Sequence, residues 1–158
     1  MDFLTSRYNC FKKIREITIE DHSKLILFWK ENYFENEMDN YERFKLFLDK
    51  NPNISFLAEE NGYIIGSALG SFDGRRGYLQ KIVVDKKLRR QGIGQELVKK
   101  IISKLRSLGC TYIPLNVDEK LICFYEQCGF KKISAQAMNM SLSEDVKYQE
   151  YLRKQNSH

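Results

Sequence analysis

The chain has 158 residues, enough for one domain with little room for a second, and its 42% apolar and 13% aromatic content suffices for a single packed core. Residues Met1 to Arg7 lack the apolar run of a signal peptide, and no stretch approaches the roughly 18 apolar residues of a membrane span, so a soluble, cytoplasmic protein is expected. The net charge of +5 excludes little alone, but Lys81, Lys86, Lys87, Arg89 and Arg90 crowd one segment, either a solvated basic surface or an anion contact.

Lys13 to Thr18 alternates like a first strand, and Thr18-Ile19-Glu20-Asp21 reads as a capping box opening a helix that carries Leu25, Ile26, Phe28 and Trp29. A second helix, near Tyr41 to Asp49, sets Phe44, Phe47 and Leu48 on one face before Asn51-Pro52. Ile54 to Glu59 and Tyr63 to Leu69 form strands across an Asn61-Gly62 hairpin turn. Asp73-Gly74 then leads to the strand Tyr78 to Val84. Ile93, Leu97, Val98, Ile101, Ile102 and Leu105 fall on one side of a helix from about Gly92 to Ser107, ended by Gly109. Beyond it are expected a strand Tyr112 to Val117, parallel to the one before the helix, and a short helix holding Phe124 and Tyr125. A further strand begins at Phe130 and a last one runs from Met138 to Leu142, leaving a charged tail from Ser143 that suits a surface helix, a partner contact or a frayed end. One mixed α/β domain accounts for this order.

Four cysteines, Cys10, Cys110, Cys123 and Cys128, include no CxxC pair, and the only histidines are His22 and His158. That pattern fits free thiols and disfavours both a Cys–His nucleophile and a metal site. The strand-to-helix junction is more telling. A helix's first turn offers unsatisfied N–H groups and partial positive charge, and Arg89-Arg90-Gln91-Gly92-Ile93-Gly94 adds two cations and two glycines. The loop suits a pyrophosphate. It lacks the Gly-Lys-Ser/Thr of a Walker loop and the third small residue of a dinucleotide fingerprint. A glycine-rich turn that merely packs the helix tightly explains the loop equally well at this point.

Val83-Val84-Asp85, the Arg89 to Gly94 loop and Leu97-Val98 together resemble the acetyl-CoA signature of the GNAT superfamily of N-acetyltransferases. Phe124-Tyr125-Glu126 with Gly129-Phe130 is similar to its second signature, and Phe72 to Tyr78 resembles the bacterial YpeA-like subgroup. The likeness covers most of residues 12–142, so the chain is expected to be a single GNAT domain over 1–158 with a tail from 143.

The resemblance implies a mixed, mostly antiparallel sheet of six or seven strands, splayed at a central parallel pair, with about four helices. It implies that backbone groups of Ile82, Val83 and Val84 face pantetheine, and that Arg89, Arg90, Gln91, Gly92, Ile93 and Gly94 cradle the pyrophosphate. Tyr125 would protonate the leaving thiolate. Two departures stand out: Val117 to Phe124 is shorter than the family's turn and lacks its asparagine, and Asn116 replaces a glutamate found in some protein-acetylating relatives. Pro114 suits the expected splay or a bulge.

The expected reaction passes acetyl from acetyl-CoA, a co-substrate, to a primary amine of a small molecule or protein by direct attack. Glu59, Glu60 and Asp73 are base candidates, each with a sufficient turn or surface reading. An acyl-CoA-binding module without chemistry is the alternative. No nucleic-acid or membrane partner is expected, and a homodimer is compatible with this reading.

Overall fold

In the computed structural model, which describes residues 12–140 together with Leu142 and Glu150, four strands form an antiparallel sheet in the order β1-β2-β3-β4. They are β1 (Lys12–Glu16), β2 (Phe56–Glu60), β3 (Tyr63–Phe72) and β4 (Gly77–Val84). Four helices accompany them: α1 (His22–Glu31), α2 (Tyr41–Lys50), α3 (Ile93–Ser107) and α4 (Ile122–Gln127).

Local chemistry sets most of these boundaries. The Thr18 box forms, with the Thr18 N–H donating to Asp21 Oδ2 at 2.9 Å, and it encloses a 3₁₀ turn, Ile19–Asp21, ahead of α1. Asn40 caps α2 by accepting the Arg43 N–H at 3.1 Å. Asn61 and Gly62, at φ 51° and 81°, both adopt the left-handed region that a two-residue hairpin requires. Gly109, at φ 86°, ends α3, and the Cys110 N–H returns to the Leu105 carbonyl at 3.0 Å.

The sheet lies between two helical layers. On one face Leu25, Phe28, Trp29 and Phe44 pack on Leu57, Leu69 and Val83. On the other, Leu97, Val98, Ile101 and Leu105 of α3 meet Phe56, Ala58, Ala68 and Leu79.

Small residues on β3 set how deeply α3 sits. A Cβ added at Gly66 would stand 2.9 Å from Ile93 Cγ2, and one added at Gly70 only 2.6 Å from the Ile54 carbonyl and 2.7 Å from Ile101 Cγ2. Gly70→Ala is therefore expected to destabilise the fold by about 1–3 kcal/mol, since backbone limits relaxation there. Urea unfolding reads this directly; an unchanged midpoint would mean that the α3 layer yields freely.

The expected sheet of six or seven strands is corrected to four among the described residues. Tyr112 to Val117 is no strand, so the expected parallel pair and its splay are absent there too. The Gly77 N–H donates to the Tyr112 carbonyl at 3.0 Å, but two residues on Pro114 has no N–H to continue a ladder. Residues 130–140 and Leu142 carry no strand either, and Met138, Met140 and Leu142 are almost fully exposed. With no neighbouring ladder, neither predicted strand has a sheet to join. Ser141 and most of the tail from Ser143 lie outside the described residues, as does Cys10.

Candidate functional site

The β4–α3 junction follows from where β4 ends. The Asp85 N–H donates to the Ile65 carbonyl at 2.9 Å, the last tie to β3, and Asp85 Oδ1 then accepts the Lys87 N–H at 2.8 Å to turn the chain. Arg90 and Gly92 both adopt positive φ, 63° and 83°. Gly92 is the N-cap of α3, has no side-chain cap, and faces open space where a Cβ would stand. The first helical amides therefore point, uncapped, toward an exposed loop that carries Arg89 and Arg90. That arrangement attracts an anion.

The two glycines serve different ends. Gly92 supplies the left-handed φ. Gly94 is buried, and its missing side chain leaves room for the Phe124 ring, 3.2 Å from where a Cβ would be, and for Val84, 3.4 Å away. The Gln95 amide also donates to Gln127 Oε1 at 2.5 Å. The structure thus seats the second signature of the sequence directly against the first.

α4 starts after a 3₁₀ turn, Glu119–Leu121, which fills the shortened connection with Asp118 as its N-cap. Gly129, at φ 97°, ends the helix, and the Phe130 N–H returns to the Tyr125 carbonyl at 3.0 Å. Tyr125 is held edge-on between Phe124 and Phe130, at centroid distances of 4.9 and 5.7 Å. Its ring is nearly buried, on a groove also lined by Ile113, Leu115 and Ile122. Its hydroxyl has no hydrogen-bond partner among the described residues. Burial first, and then Cys128, raises its pKa above the ordinary 10.0, so it keeps its proton at neutral pH.

Of the other predicted positions, Val83 is buried against the α1 layer, whereas Ile82 and Val84 are half-buried on the α3 side. The base candidates lie in structural roles. Glu59 pairs with Arg15 at 3.2 Å, and Arg15 also grips Asp21 through contacts of 2.7 and 2.8 Å. Asp73 Oδ1 accepts the Arg75 and Arg76 N–H groups, both at 2.7 Å, and these bonds lower its pKa. Glu60 pairs with Tyr63 at the hairpin end, two strands away from β4.

Of the basic cluster, Lys86, Lys87, Arg89 and Arg90 are exposed, but Lys81 is not. Ser67 pairs with Val83 but Leu69 with Gln80, so β4 carries an extra residue in a bulge, with Lys81 at φ 50°. Strict alternation would place Lys81 on the α3 face with Leu79; the bulge turns it to the α1 face instead. There the Lys81 ammonium donates to Asp39 Oδ2 at 2.6 Å and to the Phe34 carbonyl, and lies 4.9 Å from the Trp29 ring centroid. Ser67 Oγ accepts the Trp29 indole N–H at 2.8 Å and donates to the Lys81 carbonyl at 3.1 Å. Sequence reasoning missed this network. Its one trace is a lysine sharing strand parity with buried Leu79 and Val83.

Comparison with known proteins identifies the family. The model of the acetyltransferase (GNAT) family matches residues 12–130. An acetyltransferase of Pectobacterium atrosepticum is 29% identical over 144 residues, spanning 86% of this chain and 99% of that protein. N-alpha-acetyltransferase 30 of Dictyostelium discoideum is 36% identical over 97 residues, 57% of this chain and 52% of its own length. Among solved structures, a predicted acetyltransferase with acetyl-CoA from Clostridium acetobutylicum shares the fold at TM-score 0.66 and 18% identity, with coverage of 86% of this chain and 99% of that one. With its helix-bound signature loop, its antiparallel sheet and this family match, the chain belongs to the GNAT acetyltransferase family.

Proposed function

We propose that the chain transfers an acetyl group from acetyl-CoA to a primary amine of a small molecule or protein, by direct attack within a ternary complex. The observation that carries this reading is the uncapped start of α3, where Gly92 sits at φ 83° beside exposed Arg89 and Arg90. The residues present fit acetyl-CoA as co-substrate. Amides from Arg89 to Gly94 would hold its pyrophosphate, and backbone groups of Ile82, Val83 and Val84 would face its pantetheine arm.

Acetyl-CoA would supply an activated acyl carbon and a thiolate leaving group. Tyr125 Oη keeps its proton at neutral pH and can donate it to that thiolate. Among the described residues Cys110, Cys123 and Cys128 are free thiols, and none has an adjacent base for a covalent route.

One CoA per chain is expected in titration calorimetry, because the sequence holds one Arg-x-x-Gly-x-Gly loop. No heat of binding at millimolar CoA would remove this reading. The brief 3₁₀ turn that replaces the longer family connection before α4 favours a second one, an acyl-CoA-binding module without turnover. Thioester consumption across a panel of amines separates the two.

A further inference from the structure

We propose that Lys81 is a positioning residue which locks the connection between α1 and α2 to β4, so that an acceptor amine and the thioester are registered by one buried ion pair. This rests on the acetyl-transfer reading and adds a residue to it.

Two ties run from β4 and the residues after it to the connection, and only the one from Lys81 reaches beyond its first residue. Lys81 reaches down to Asp39 and the Phe34 carbonyl. Asn32, itself buried, accepts the Lys86 N–H at 3.1 Å and donates to the Phe28 carbonyl at 2.9 Å. Asp39 is held in turn: its Oδ2 accepts the Asn36 N–H at 2.8 Å, and its carbonyl accepts His22 Nε2–H at 2.7 Å. Both charged side chains of the pair are about nine-tenths buried, 10% and 8% exposed. Such a pair fixes geometry more than it adds stability.

What it fixes is specific. Lys81 is the bulge residue directly before Ile82 and Val83, and its carbonyl accepts the Ser67 hydroxyl, a backbone tie that a side-chain substitution leaves in place. The connection it grips displays Tyr33, Phe34 and Met38 to solvent, with Tyr41 at the start of α2. These exposed side chains lie on, or directly after, a connection that Lys81 ties to the strand expected to face the thioester. A connection tied to that strand through Lys81 moves with it. Displacements near 1 Å at a reacting centre cost about a hundredfold in rate, so such a tie has catalytic weight.

The test compares wild type with Lys81→Met and with Lys81→Met/Asp39→Asn, the double variant removing both buried charges so that neither is left unpaired. Hydrogen exchange is followed with and without saturating CoA. In wild type CoA is expected to slow exchange at residues 33–40 as well as 82–94. In the double variant protection should be confined to 82–94, with CoA affinity within about threefold of wild type. With the best amine from the panel, kcat should fall by about tenfold or more while the KM for acetyl-CoA moves less than about threefold. Protection at 33–40 retained in the double variant, or absent from wild type, overturns the proposal, as does a lowered melting point with kcat intact. Wild type that fails to bind CoA overturns the acetyl-transfer reading first, and this inference with it.

Discussion

Gly92→Glu is expected to lower CoA affinity by at least about a hundredfold while the chain stays folded. A carboxylate there would occupy the space an anion needs, at the positive end of α3. The open surroundings of Gly92 leave room for the side chain, so no clash follows. The positive φ adds a strain of about 1–2 kcal/mol for a residue with a Cβ. Gly92→Asn separates these contributions, because asparagine tolerates the left-handed region and brings no charge. It should keep most of the affinity. Equal losses from both variants in calorimetry would mean that backbone shape, not anion binding, governs this position.

Tyr125→Phe should reduce turnover on the order of a hundredfold or more, the usual scale of a general acid, with acetyl-CoA affinity and melting temperature nearly unchanged. The ring supplies the packing with Phe124 and Phe130, and phenylalanine keeps it. The hydroxyl has no partner among the described residues, so its removal orphans none of their groups. The pH dependence follows from burial, which raises the pKa above 10.0. Below that value the proton is in place. Activity that depends on it should persist through neutral pH and fall only above about pH 10, and the variant should lack that alkaline limb. A change of less than about threefold in kcat would withdraw the role of Tyr125, while the proposed CoA site at Gly92 would still stand on its own test.

Elements whose partners are local were legible in the sequence. The Thr18 box, the Asn61-Gly62 turn and the apolar stripe of α3 depend on residues a few positions apart, and each is found as expected. So is the strand-to-helix junction at Arg89 to Gly94, because it is built from consecutive residues. Strands beyond α3 were not legible, since a strand needs a neighbour as well as alternation. The Tyr112 to Val117 segment alternates adequately yet carries Pro114 where a ladder would need a donor. The Lys81 bulge was hidden for another reason. Its partners, Asp39, Trp29 and Ser67, are between 14 and 52 positions away, so no local pattern reveals them.

Small residues on β3 bear on how this enzyme family member could be re-engineered. Gly66, Ala68 and Gly70 fix the height of a helix whose first turn is the proposed CoA end. Repacking the underside of α3 with bulkier side chains would tilt or lift that turn by tenths of an ångström, although no altered residue lay near the loop. If the proposed role of the α1–α2 connection holds, libraries meant to change acceptor choice belong at its exposed Phe34 and Met38, away from the underside of α3. Stabilising substitutions that fill space beneath α3 should instead be screened for CoA affinity first, since a tighter core and a correctly seated helix are competing demands at that one surface.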